Sequence, residues 1–206
     1  MREHFVAHPL RTSVSGAALL GAVAVMAVLV PLAPLAADEQ WSEAMLDIES
    51  PVLKDIALVF NWLGRGLGWM LTLAAIGIVL IYARRWVALV AFAVVESLTP
   101  LTSALLKALV ARPRPPDGAV HPLGSSFPSG HAAYAGATCV ALVFLFTKLG
   151  ARRRWWALAA LGILGMAWSR TYLQVHWLSD VVAGSLLGIG ISLLVFSGAQ
   201  WWINRR

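Results

Sequence analysis

Apolar residues run along this chain in long unbroken blocks rather than with the period of an amphipathic helix or strand. The blocks cover residues 14–37, 66–83, 86–106, 131–147, 155–172 and 178–203, and the third is interrupted only by Glu96. A hydrocarbon core about 30 Å thick is crossed by roughly 20 residues of helix, so each block predicts a span. Together they predict an all-α, polytopic membrane helix bundle of six transmembrane spans. Between the first two blocks an acidic stretch (Asp38, Glu39, Glu43, Asp47, Glu49) precedes Ser50-Pro51, the residue pair of a helix N-cap and first turn. The apolar segment 52–63 that follows is too short to cross and predicts a helix between spans one and two, lying in the interface or packed on the bundle. Arg2 and Arg11 ahead of the first block imitate a signal peptide. The block is too long for a signal core and Ala33-Pro34-Leu35-Ala36 lacks an Ala-x-Ala site, so a retained anchor is expected.

Composition agrees with the blocks. Of 206 residues, 59% are hydrophobic and 13% charged, and the mean hydropathy is +0.75, against about a quarter charged in a soluble domain. A soluble enzyme, a disordered chain and a coiled coil are excluded, and the lone Cys139 cannot form a disulfide within the chain. With no internal repeat, residues 1–206 read as a single membrane domain.

The net charge of +6 would suggest nucleic acid in a soluble protein, but in a membrane chain basic residues report topology first. Ten of the sixteen Lys and Arg fall on one side of the six-span layout: Arg2, Arg11, Arg84, Arg85, Lys148, Arg152, Arg153, Arg154, Arg205 and Arg206. That side is expected to be cytoplasmic, with both termini inside. Trp86, Trp155, Trp156, Trp177, Trp201 and Trp202 stand at span ends, as interfacial anchors do.

The opposite face keeps Lys54, Arg65, Lys107, Arg112, Arg114 and Arg170, which the topology leaves unexplained. It also carries His131, His176, Ser129 and Asp180. Arginine forks and a lysine point charge suit phosphate oxygens. Ser129-Gly130 after Pro128 reads as a helix N-terminus open to an anion. His176 and Asp180 are four positions apart, so the carboxylate can orient the imidazole and leave its other nitrogen to attack phosphorus. His131 is then available as general acid. Glu96, inside span three, is a candidate by its cost alone, pairing with Ser97, Thr99 or a neighbouring span. Arg112 is read as marking the membrane boundary, ahead of a role in steering anionic headgroups, and the small residues Gly184, Ser185 and Gly188 as close helix packing. His4, His8 and His121 are given no role.

In order, these residues are Lys107, six residues, Arg114-Pro115; Pro128-Ser129-Gly130-His131; and Ser169-Arg170, five residues, His176, three residues, Asp180. This resembles the three-part signature of the type 2 phosphatidic acid phosphatase superfamily, with the spacing choosing Arg114 over Arg112. The resemblance covers residues 107–180 by motif and the first hundred residues by hydropathy only. It implies a cofactor-free, metal-independent lipid phosphatase in the bacterial cytoplasmic membrane, its site on the outer face. By the same resemblance a phosphohistidine forms on His176, Asp180 orients it, and His131 protonates the leaving group. Lys107, Arg114, Ser129, Gly130 and Arg170 hold the phosphate. The implied partner is a phosphorylated lipid of the undecaprenyl pyrophosphate or phosphatidylglycerophosphate type within the membrane lipids, with no nucleic acid. The rival reading is an anion or lipid-phosphate transporter using the same cationic cluster.

Overall fold

A computed structural model describes residues 3–30, 33–116, 118–120 and 124–206. Among them the chain forms eight α-helices: α1 (Pro9–Leu29), α2 (Ala36–Asp47), α3 (Pro51–Leu63), α4 (Gly66–Tyr82), α5 (Trp86–Val110), α6 (Gly130–Phe146), α7 (Arg152–Tyr172) and α8 (Leu178–Asn204). A single 3₁₀ turn, Leu149–Ala151, precedes α7. Helices α1, α5 and α8 are each long and apolar enough to cross a membrane, and α3 with α4 pass the same test as one span bent by 56°. α6 is apolar but has only 17 residues, and α7 opens on Arg152-Arg153-Arg154.

One expectation changes. The block at 14–37 is not one helix. α1 ends at Leu29, and Ala36 begins α2, whose first turn carries Asp38 and Glu39, charges that suit a helix N-terminus. Asp38 caps it by accepting from Leu35 N–H at 3.1 Å. The segment at 52–63 is helical and starts as expected, with Ser50 Oγ accepting from Leu53 N–H at 3.2 Å. It packs on the bundle against α7 and runs into α4 through the break at Gly64-Arg65.

α8 is the centre of the bundle, packing most extensively on α6 and α1 and further on α5. The α6 contact is close because Gly184 and Gly188 face it. A Cβ on Gly188 would collide with the Ala133 carbonyl and lie 2.6 Å from Ala137 N, and one on Gly184 would strike the Ser129 carbonyl. The reading of these residues as helix-packing positions holds. Glu96 of α5 turns inward, accepting from Thr138 Oγ1 of α6 at 2.8 Å. At the opposite end of α8 from its start, Gln200 Oε1 accepts from Phe5 N–H at 2.7 Å, fastening the chain ahead of α1. Helices α2 and α3 lie over α7, with Trp41 Nε1 donating to Thr171 Oγ1 at 2.9 Å and Tyr172 Oη accepting from Ser50 N–H at 2.8 Å.

Gly188→Ala is expected to destabilise the purified protein by about 1–3 kcal/mol, since the helices must separate to admit the methyl group. Gly198→Ala, with nothing within 4 Å of the new Cβ, is the control. Thermal midpoints in detergent check this, and equal midpoints for the two variants would contradict it.

Candidate active site

The turn from α7 into α8 carries the first group. Asp180 stands at the third position of α8, where its Oδ2 accepts from Trp177 N–H at 2.9 Å and so closes the helix start. Its Oδ1 accepts from Arg112 Nη1 at 2.7 Å. His176, just ahead of the helix, is 5% exposed. Its Nδ1 lies 3.6 Å from Asp180 Oδ2 and 3.4 Å from Ser126 Oγ. Ser126 itself donates a short hydrogen bond to Asp180 Oδ2. On the other side of the ring, Arg114 Nη1 approaches Nε2 to 3.1 Å. A guanidinium only donates, so Nε2 must hold the lone pair and Nδ1 the proton. Burial pushes the His176 pKa down from 6.5 to about 4; Asp180 opposes the shift, and the charges of Lys107 and Arg114 add to it. The resting ring is a neutral imidazole with its free lone pair facing a cation.

The cations come from two directions. Lys107, in the last turn of α5, donates to the carbonyls of Ser125 and Ser126 at 2.8 and 3.3 Å. Arg114 donates to the carbonyls of Val175, Gly124 and Ser125 at 2.7, 3.0 and 3.1 Å. Both side chains therefore meet at the strand of backbone that leads into α6. Arg170, 1% exposed at the end of α7, donates to Asn61 Oδ1 of α3 at 2.8 Å while its Nε has no partner. Ser129 is the N-cap of α6, and its N–H donates to the Asp180 carbonyl at 3.0 Å, joining the starts of α6 and α8. A Cβ on Gly130 would meet only Ser103 Oγ, at 3.8 Å, so protein packing does not demand glycine there and the space beside the first amides of α6 is open. His131 Nε2 is buried without a hydrogen-bond partner.

All eight residues singled out by the motif thus lie at one end of the bundle. Beside them a cavity of about 360 Å³ opens between α4, α5 and α6, lined by Arg65, Lys107, Gly130 and His131 and by Trp69, Glu96, Pro100 and Tyr134. Lys107 and Glu96 are eleven positions apart on α5, so the cavity follows that helix for about 16 Å. Among the described residues no three His, Cys, Asp or Glu side chains converge as metal ligands.

Four residues were misread or missed. Arg112 does not mark the boundary: it is 1% exposed, held between Asp180 Oδ1 and Asp38 Oδ2 at 2.7 Å each, with Ser179 Oγ at 2.8 Å. Asp38 was one of five acids in a polar stretch, and nothing in the sequence distinguished it. Ser126 precedes the Pro-Ser-Gly-His motif by two residues and showed no sign of touching Asp180. Trp177 is buried rather than interfacial, because its Nε1 donates to the Pro113 carbonyl at 3.0 Å and Arg112 stacks 5.8 Å from its ring. His121 lies outside the described residues.

Comparison with known proteins fits this geometry. The chain is 28% identical over 166 residues to phosphatidylglycerophosphatase B of Bacillus subtilis, covering 77% of this chain and 81% of that one. It is 39% identical over 74 residues to the undecaprenyl-diphosphatase of Sulfolobus acidocaldarius, covering 35% of this chain and only 33% of the relative's length. The crystal structure of the transmembrane PAP2 type phosphatidylglycerolphosphate phosphatase from Bacillus subtilis superposes with a TM-score of 0.75 at 26% identity, over 88% of this chain and 94% of that one. LpxE of Aquifex aeolicus shares the fold, with a TM-score of 0.65 at 24% identity over 78% and 95% of the two chains. The sequence model of the PAP2 superfamily matches residues 86–204, from the start of α5 to the end of α8 and so across every residue of the cluster; the chain belongs to that superfamily.

Proposed function

We propose that this chain is an integral membrane lipid phosphatase that removes phosphate from a phosphate monoester or pyrophosphate of a lipid through a phosphohistidine on His176. The observation that carries the reading is the approach of Arg114 Nη1 to His176 Nε2 at 3.1 Å, which points the nucleophilic lone pair at the place where an anion binds. Phosphate entering beside Lys107, Arg114, Arg170 and the α6 N-terminus takes the guanidinium's hydrogen bonds and exposes Nε2 to phosphorus. The N–P bond forms as the bond from phosphorus to the lipid oxygen breaks, and that oxygen takes a proton from His131. The ring then carries positive charge, stabilised by Asp180. Water attacks phosphorus next, its proton returning to His131, and the N–P electron pair returns to Nε2.

The cavity along α5 supports a lipid as the substrate, because it leads from the cationic cluster into the apolar part of the bundle. The relatives' names support an undecaprenyl pyrophosphate or phosphatidylglycerophosphate type of substrate. In the six-span layout, α4 supplies the second crossing, the ten basic residues stay with both termini at the cytoplasm, and the site opens on the outer face.

His176→Ala is expected to lower turnover at least about 10³-fold with little change in the melting temperature, since Asp180 keeps Arg112, Ser126 and Trp177 N–H as partners. Phosphate release from a panel of prenyl pyrophosphates and phospholipid monoesters measures it, and undiminished release in the variant contradicts the mechanism. Activity is expected to persist in excess EDTA; a strict Mg²⁺ requirement would refute the metal-independent reading. Because His176 stays neutral down to about pH 4, protonation removes the lone pair only below that. Corrected for substrate ionisation, kcat/KM should hold level from neutrality to about pH 5 and fall as the pH drops through about 4. An acid limb centred on the ordinary histidine value would overturn the assignment of His176 as a buried neutral nucleophile.

A further inference from the structure

Asp38 and Arg112 take no part in the steps above, yet they are among the most buried charges in the protein, 2% and 1% exposed. Asp38 Oδ2 accepts from Arg112 Nη2 at 2.7 Å and from Ser179 Oγ at 2.9 Å, and its Oδ1 accepts from Ser179 N–H at 2.8 Å. Arg112 Nη1 then reaches Asp180 Oδ1 at 2.7 Å. A carboxylate from α2 is therefore two contacts away from the residue that faces the His176 imidazole.

We propose that Asp38 is a positioning residue for the reaction at His176: through Arg112 it keeps Asp180 turned toward the imidazole and leaves the Asp38–Arg112–Asp180 group with one net negative charge. The inference rests on the phosphohistidine reading above. Arg112 on Asp180 alone would make a neutral pair, and the ring would gain little from a carboxylate already matched by a guanidinium. The second carboxylate on the same guanidinium restores the charge. Orientation follows from the same contacts. Arg112 occupies Oδ1, so Oδ2 is the oxygen presented to Ser126, Trp177 N–H and His176.

The other groups that face His176 make this net charge matter. They are Lys107 from α5, Arg114 from the connection into α6 and His131 from α6, none of which brings negative charge. Asp180 is the carboxylate in contact with the ring among the described residues. Positive charge appears on that ring only as the N–P bond forms, so the negative group acts in the transition state. Lys107, Arg114 and Arg170 bind the ground-state phosphate, and none of them touches Asp38. Loss of Asp38 should appear in kcat and not in KM.

The full-length protein in detergent, as wild type, Asp38→Asn and Asp38→Glu, tests this with a diacylglycerol phosphate monoester as substrate. Two anions serve as probes. Orthovanadate mimics the trigonal bipyramid and needs the Nε2 lone pair, whereas inorganic phosphate needs only the cations. The isosteric Asp38→Asn should lose about tenfold or more in kcat, with KM within about twofold, and should weaken vanadate by a similar factor while leaving phosphate affinity unchanged. Asp38→Glu should recover part of the loss. Wild-type kcat and vanadate affinity in Asp38→Asn would overturn the proposal. So would a parallel fall in phosphate and vanadate affinity that tracks the folded fraction, because that is a structural effect alone. If the wild type binds vanadate but hydrolyses no lipid phosphate, the substrate reading fails while the vanadate-to-phosphate ratio still decides the role of Asp38.

Discussion

Arg112 sits with almost no water around it between two carboxylates, one at the third position of α2 and one at the third position of α8. Each carboxylate also caps its own helix, so the guanidinium joins two helix N-termini that repel one another by their dipoles. Removing Arg112 from this group would leave two buried carboxylates without a counter-charge, at a cost of about 3–5 kcal/mol. Here the cost would fall on the active end of the molecule. The Arg112 contact to Asp38 fixes α2, which in turn holds the α7–α8 turn through Trp41 on Thr171 and through Ser42, whose carbonyl accepts from Gln174 Nε2 at 3.0 Å. That turn presents His176.

Rigidity on one side of the site is matched by looseness on the other. Asp180 has Arg112, Ser126 and Trp177 N–H as partners whether or not His176 is near. The 3.6 Å separation from Nδ1 to Oδ2 is longer than a hydrogen bond. The carboxylate is thus fixed by the fold, and on the proposed phosphohistidine route the imidazole would shorten that contact as its ring gained charge. Preorganised charge facing a group that becomes positive only during reaction is the arrangement that favours a transition state over a ground state.

The helices were legible because membrane spans are written as uninterrupted apolar length, and the Ser50-Pro51 start of α3 was legible because capping is local. α2 was not, since the apolar block ran past the end of α1 at Leu29 and hid the change of element. The motif spacing identified the residues of the cluster, and its preference for Arg114 agrees with the arginine that meets His176 Nε2. It could not interpret Arg112, whose Asp38 partner is 74 residues away. A buried ion pair between distant helices is a product of docking, and no periodicity or spacing records it. Trp177 failed for the same reason: its carbonyl partner is Pro113, 64 residues away.

Charge placement at the helix starts also decides where an anion can settle. α2, α6 and α8 all begin at this end of the bundle, as the contacts of Asp38 to Ser179 and of Ser129 N–H to the Asp180 carbonyl require. Three positive dipole ends therefore converge. Asp38 and Asp180 occupy the first turns of α2 and α8, each accepting from the N–H of its helix's N-cap residue, whereas the first turn of α6 holds no acid. Its cap is Ser129 and its first residue Gly130, where an added Cβ would meet only Ser103 Oγ, at 3.8 Å. Of the three helix starts, α6 alone keeps its field and its approach free for a ligand. On the proposed reading, the two carboxylates, by closing the other two, would direct phosphate to the start of α6, beside Lys107 and His131 at the mouth of the cavity along α5.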